Sequence, residues 1–600
     1  MKKHILKIIS ILLFFSVVAC TPTKEAVVEK ERNKAFDEFC DSLAPQLVAD
    51  NDYALNYLLI DKEAYGFNET TYTLSIPTYE EWIADNKMLE TFNEKLLAFD
   101  IEDLNDEQQL TYEVLQDALD TQSAIPDKEL YYLSTDYLDA TYGIQSDFPL
   151  SLYMYTFRTK QDIDSYINLM KEYPAHLQSL LVHEQERQDQ GFGMTKSEVA
   201  VIKQQAEDFL EADLDFLVSS FKERIDSVED ISEEEKKQYE KDNETYLKNG
   251  LVKGYEILRD DISNLDIKNT QELGISAQEY GKEYYEALIA QQTGYKDIKD
   301  YLDFLYDLQD DLEDDLVEKE INIFDIEESE VSYTDKKTPK AVLKNLEKMM
   351  EKDFPKLDSA LKYTMEIVPE GMQSIFSASA AYYISPIDKE TSNERMILNK
   401  EFDQNEFLTI AHEGYPGHMY QTQYYQQMVP HHYVRDFLSY SGYSEGYANY
   451  VQRYATKYAN DVESAEKAQA IEVYIYIGTL ILDFKIHYEG LDIESYVDEL
   501  ISIYATLYGD LSAYGIDVTE LLKESISVEN TEITDSYNQL LHTPAIFPKY
   551  YAAGFQISQL REENKAYTDV EFHEALLHVG DSPYPVMKKY VEKYLQQNFD

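Results

Sequence analysis

The sequence predicts a mainly α-helical protein with a small β-sheet beside a histidine-bearing helix. Three observations predict it. Apolar residues recur three and four apart over long segments, alternating stretches are few, and one compact hairpin pattern precedes a histidine-rich motif. The helical texture is clearest over residues 161–187, 197–224, 233–259, 297–320 and 461–488. Extended candidates are 330–334 and 363–368. Stronger ones are 380–384 and 395–399, aromatic or aliphatic runs separated by a stretch holding Pro386, Asp388, Ser392 and Asn393. No unit of 20 to 50 residues repeats, which excludes a solenoid.

The chain has 600 residues, 44% of them hydrophobic, with 52 Tyr, 25 Phe and one Trp, a globular composition able to fill a large core or two lobes. A coarse division falls near residue 340. Residues 35–340 form a helical half and 341–600 the half carrying the motif, the two expected as one unit around a cleft. The formal net charge is −62. Such a surface excludes nucleic acid and polybasic adhesion to anionic lipid as modes of action; it suits a soluble body, and favours cationic peptides if it favours any.

Lys2, Lys3 and Lys7 precede an apolar run over 8–18 that is too short for a stable membrane span. The run ends in Val17-Val18-Ala19-Cys20, the pattern of a lipobox. Residues 1–19 are therefore expected as a lipoprotein signal peptide and 20–34 as a tether, with lipidated Cys20 anchoring the protein outside the bacterial cell membrane. A secretory signal that happens to contain cysteine is the alternative. Cys40 is the only other cysteine, so neither an internal disulfide nor a thiolate metal site is available.

His412-Glu413-Gly414-Tyr415-Pro416-Gly417-His418 joins two imidazoles and a carboxylate. Histidines four apart lie about 40° from alignment on a helix and reach one ion, whereas histidines six apart miss alignment by about 120°. Pro416 would clash with the His412 carbonyl in a continuous helix, and Gly417 follows it. The segment is therefore expected to break between Glu413 and His418 and to swing the second imidazole back. Glu413 is the expected general base toward a metal-bound water. Ser444-Glu445-Gly446-Tyr447-Ala448-Asn449-Tyr450 offers a third ligand in Glu445, on a helix capped by Ser441 or Ser444, with Gly446 allowing close approach to the metal helix. Taken alone, a helical glutamate is an exposed carboxylate; its pairing with His412 and His418 makes Glu445 a candidate.

HExxPGH followed by an EGxAxY helix resembles the large bacterial family filed as domain of unknown function 885, grouped with gluzincin-like metallopeptidases and often found as lipoproteins. The similarity runs from about residue 35 to the C-terminus. It implies a large helical zinc-peptidase-like fold with one Zn2+ held by His412, His418 and Glu445, with Glu413 as base. Residues 544–554, with Tyr551-Ala552-Ala553-Gly554 and then Leu560-Arg561, are similar to the family's proline-rich stretch, where a tyrosine could donate to the oxyanion; Tyr551 is the choice and Tyr550 its rival. Phe572-His573-Glu574 resembles the closing block, with His573 structural or catalytic. Arg561 binds a substrate carboxylate or neutralises part of the acidic body. The chain departs from the family at Ala545, where glycine is common, and at Gln452, where an acid is common, which puts the surroundings of the ligands in question.

Among the remaining histidines, His183, beside Glu184, reads as surface, His431 and His432 as loop, and His487 and His578 as ordinary helix residues. His542 is a reserve transition-state donor. The expected function is a membrane-anchored, extracytoplasmic zinc-dependent peptidase acting on short peptides. The alternatives are a non-catalytic peptide-binding or envelope lipoprotein and a metal-dependent amidohydrolase acting on non-peptide amides. Other divalent ions suit the same ligands, and the oligomeric state is left open.

Overall fold

The computed structural model describes residues 30–599 apart from 49–54, 68–71, 121–122, 271, 326–330, 370, 372, 374–379, 384–385, 390–392 and 400–405. The expected signal peptide, Cys20 and the expected tether up to residue 29 lie outside the described residues. The first described helix, Lys34–Leu43, is capped by the Asn33 side chain. Among the described residues no helix is long and apolar enough to cross a membrane.

The protein is mainly helical, and local chemistry sets many of the helix starts. Thr159, Thr195 and Ser232 each accept from the backbone three residues on, and Asp162, Glu198 and Glu235 return the bond, closing capping boxes for helices Lys160–Gln190, Lys196–Glu211 and Glu233–Tyr246. Two of the long helical segments read from sequence are interrupted. Residues 197–224 divide into Lys196–Glu211 and Asp215–Ile225, and 233–259 loosen over Leu247–Val252 before resuming as Lys253–Asp261. Gly250 lies in that loosened turn, where a Cβ would meet the Met170 carbonyl oxygen at 2.1 Å, so the crossing of the two helices needs glycine.

The small sheet holds β1 (Tyr363–Ile367), β2 (Ala380–Tyr383) and β3 (Glu394–Leu398) in the order β1-β3-β2. β2 and β3 form the expected antiparallel pair, and β1 adds parallel to β3. Residues 331–334 are not a strand; Tyr333 and Ser332 instead accept backbone bonds from Asn460 and Asp461. β2 is an edge strand and runs beside the helix that bears His412.

One core gathers Leu343, Met396, Ile410, Tyr447, Val451 and Leu576, and draws Leu110 and Val114 from the first half of the chain. A second core, with Leu169, Leu177, Phe209, Phe221 and Tyr255, belongs to that first half. Cys40 is buried in a third core with Phe36, Phe39 and Tyr112. His183 and Glu184, read from sequence as surface, are buried. His183 bonds Thr135, and the Glu184 carboxylate takes Arg187, Gln188 and the Met194 amide. Their helix is enclosed on more than its apolar face, and a buried carboxylate is tolerated because several donors satisfy it.

Candidate metal centre

The first histidine helix, Phe407–Glu413, ends where the sequence places the break, and the second, His418–Met428, starts at the second imidazole. Tyr415–Pro416 is a cis peptide. The break is held by backbone bonds from Gly414 to Ile410 (3.0 Å) and from Gly417 to Ala411 (2.9 Å), and by the Tyr447 hydroxyl donating to the Pro416 carbonyl (2.9 Å). Gly417 lies so close that a Cβ would meet the His412 carbonyl oxygen at 1.6 Å.

The Glu445 helix, Ser441–Tyr454, presents three stripes. Tyr443, Tyr447, Tyr450 and Tyr454 face the core, and their hydroxyls bond Leu576 O, Pro416 O, His573 and Asp569. Each such bond contributes roughly 1 kcal/mol beyond burial of the ring. Gly446, Asn449 and Arg453 face helix Tyr551–Glu563; a Cβ on Gly446 would meet that of Ala553 at 2.7 Å. The close approach therefore concerns this helix and not the metal helix. Glu445 and Gln452, two turns apart, form the third stripe and meet His412 together. Neither Ser441 nor Ser444 caps the helix; Tyr440 is the cap residue and supplies its carbonyl to Tyr443 and Ser444.

Glu445 Oε2 lies 3.5 Å from His412 Nε2 and 3.2 Å from His418 Nε2. One atom from each of the three residues falls within 4.8 Å of the others. Ligand atoms about 2.0–2.1 Å from a tetrahedral zinc stand about 3.3 Å apart, so the donor set fits that ion. His412 Nδ1 lies 3.0 Å from Gln452 Oε1, an acceptor that fixes the proton on Nδ1 and leaves Nε2 to coordinate. Replacing Gln452 by Ala is expected to weaken zinc binding about 10- to 100-fold, read by competition with a chromogenic chelator; unchanged affinity would contradict this orienting role.

Charge coupling agrees with the geometry. Burial opposes charge on both Glu445 and His418, but their hydrogen bonds outweigh it. The Glu445 carboxyl is held well below the ordinary range by His412 and His418, and His418 is carried up to about 9 by Glu445, with Glu413 adding to it. Glu413, the last residue of the first histidine helix, is close enough for its charge to act on His418.

The neighbouring tyrosine is Tyr550, not Tyr551. Tyr551 stacks on Tyr476 with centroids 3.9 Å apart and packs against Phe547, which directs it into the core of helix Val462–Phe484. Tyr550 lies close enough to Tyr142, Glu445 and Glu413 to feel all three. Burial first, then these charges, raise its pKa, so it stays a phenol able to donate. The Lys549 ammonium sits over the rings of Tyr142 (5.1 Å) and Tyr550 (5.0 Å), its pKa lowered by burial against the pull of Glu445. Sequence reasoning missed Lys549 and Tyr142; adjacency to Tyr550 was the only signal for the first, and none existed for the second.

The other candidates are structural. His542 bonds Ser197 (2.9 Å) in the first half of the chain, with its pKa pushed down to about 4 by burial. His573 stacks on Phe354 at 3.9 Å and bonds Asp353 O and the Tyr450 hydroxyl. Arg561 is spent on Asp569, Asn564 O and Tyr567 O. His431 pairs with Asp436 and His432 with Asp41. His487 is buried and meets Leu540 O, while His578 packs on Tyr594.

Among solved structures, the chain is similar to one described as a putative lipoprotein from Colwellia psychrerythraea, with TM-score 0.75 and 14% identity over 94% of this chain and 99% of that one. It is also similar to a putative lipoprotein of unknown function from Shewanella oneidensis, with TM-score 0.57 and 14% identity over 92% and 99%. At this identity the likeness speaks for the fold alone. No curated protein sequence matches. The family described as "Bacterial protein of unknown function (DUF885)" matches residues 61–300 and 327–591, a span that takes in both histidines of the broken helix, Glu445 and Tyr550. The chain belongs to the DUF885 family.

Proposed function

We propose that the protein is a zinc-dependent peptidase, tethered outside the cell membrane through Cys20, that hydrolyses short peptides. The observation that supports this most is the convergence of His412 Nε2 and His418 Nε2 on Glu445 Oε2 across a helix break, with Glu413 beside them. His412, His418 and Glu445 would hold the zinc, which would supply Lewis acidity to water and to a carbonyl oxygen. Glu413 takes the proton from the attacking water and carries it to the leaving amine. Tyr550 donates to the oxygen on which negative charge develops, and Lys549 adds a positive field from the same side. Gln452 keeps the His412 imidazole oriented. The edge strand β2 beside the metal helix suits pairing with an extended substrate backbone. The helical body, small sheet and interrupted metal helix are together consistent with a zinc-peptidase-like fold.

The test is hydrolysis of a mixed tetrapeptide library before and after chelation. Activity is expected to vanish with chelator and to return with zinc. Tyr550→Phe is expected to reduce kcat roughly 100-fold, equivalent to about 3 kcal/mol, while Tyr551→Phe leaves it within a fewfold. Turnover indifferent to chelation would sink the proposal; the reverse order of the two tyrosines would reassign the oxyanion donor.

A further inference from the structure

Lys549 closes the short turn Phe547–Lys549, which packs against the Glu445 helix. The residue is half-buried, and its ammonium lies 5.1 Å from the ring centroid of Tyr142 and 5.0 Å from that of Tyr550. The two rings hold the charge in place, a contact worth about 0.5–2 kcal/mol, but they are no substitute for acceptors to its three N–H groups. Tyr142 comes from the first half of the chain and is 50% exposed, so the ring over the ammonium stands at the surface.

What this ammonium lacks is a carboxylate. No acid among the described residues pairs with it, although the chain holds 115 Asp and Glu against 53 Lys and Arg. Lys389, half-buried in the same way, is met by Glu394. Burial lowers the Lys549 pKa, and the charge that opposes this is that of Glu445, one of the three converging ligands. Once Glu445 and Glu413 are offset by the two charges of a bound zinc, Lys549 is left as a cation without a counter-charge. A half-buried cation in that state costs free energy that an anion recovers. The acidity of the whole chain does not prevent this, because exposed charges are screened beyond about 8 Å at physiological ionic strength.

Resting on the peptidase reading, we infer that Lys549 receives a carboxylate of the substrate, with Tyr142 and Tyr550 holding the ammonium in position. The substrates are then peptides with a negative charge near the bond that is cut. Nζ stands 5.0 Å from the Tyr550 ring. The carboxylate therefore lies no more than about two residues of extended chain, at roughly 3.3–3.6 Å each, from the carbonyl to which Tyr550 donates. A free C-terminus and an aspartate or glutamate side chain offer the same chemistry.

The test is calorimetric titration of the zinc-loaded Glu413→Gln protein with three kinds of peptide. These are tetraalanine, tetraalanine amide, and tetraalanine amide with glutamate placed at each position in turn. At least one peptide bearing a carboxylate is expected to bind tenfold or more tightly than tetraalanine amide. A gain for tetraalanine assigns the C-terminus, and a gain for a glutamate peptide assigns the side chain. Lys549→Met is expected to erase the preference and Lys549→Arg to keep most of it. Tyr142→Phe, which keeps the ring, is expected to leave it intact, and Tyr142→Ala to shrink it severalfold. Equal binding of all the peptides, binding of none, or a preference unchanged in Lys549→Met would overturn the inference. The readout is separable from turnover. A carboxylate preference that depends on Lys549 in a protein that hydrolyses nothing removes the peptidase reading and keeps the site. Hydrolysis without that preference does the opposite.

Discussion

Glu413→Gln is expected to lower peptide hydrolysis by about 10²- to 10⁴-fold, the usual contribution of a positioned general base. The substitution keeps the size and shape of the side chain and removes only its capacity to hold a proton. Glu413 ends the first histidine helix, adjacent in sequence to His412, and its charge is felt by both His418 and Tyr550. It is not among the converging ligands, so zinc content should stay at the level of the unaltered protein. The checks are kcat/KM on the best library peptide and metal content of the same preparation. Undiminished cleavage would remove Glu413 from the mechanism. Lost cleavage together with lost metal would instead assign it a structural part in the centre.

The second large effect is expected from Gly417→Ala, which touches no ligand. An added Cβ would meet His412 O at 1.6 Å, His412 C at 2.3 Å and Ala411 O at 2.5 Å. All are backbone atoms that cannot rotate away, so the break itself must open. Its cost is expected at about 1–3 kcal/mol or more of folding stability, and the displaced His418 should lose its place beside Glu445. The denaturation midpoint and zinc affinity are therefore expected to fall together. Gly446→Ala, by contrast, first meets a side-chain carbon, Ala553 Cβ at 2.7 Å, and should lower stability with little loss of zinc affinity. Retained full-affinity zinc binding in Gly417→Ala would show that the broken helix is not what brings the imidazoles together.

The convergence of His412, His418 and Glu445 was legible in the sequence because its chemistry is local. Six-residue spacing posed a phase problem, and Pro416 and Gly417 supplied the break. Gln452 was visible as a departure from the family, but its bond to His412 follows only from the phase of the Glu445 helix. Which of the two tyrosines lies nearer the centre was hidden for a related reason. Tyr550 and Tyr551 are adjacent, and which one faces the centre depends on where helix Tyr551–Glu563 begins and how it lies against Tyr476. Lys549 sits on a short turn, Phe547–Lys549, whose neighbours are distant in sequence. Periodicity says nothing about such contacts. Helix boundaries were blurred where glycine packing or a local loosening interrupts a charged amphipathic run, as at Gly250. Charge misled at His183 and Glu184, because a polar pair can be buried when each partner finds a bond.

The most direct measurement is zinc X-ray absorption with metal stoichiometry on the purified protein and on a His412→Ala, His418→Ala double variant. One zinc per chain, with two imidazole nitrogens and a carboxylate oxygen at about 2.0–2.2 Å, and no bound zinc in the double variant, is the expected result. Zinc retained by the double variant with an unchanged spectrum would place the ion elsewhere and contradict the account.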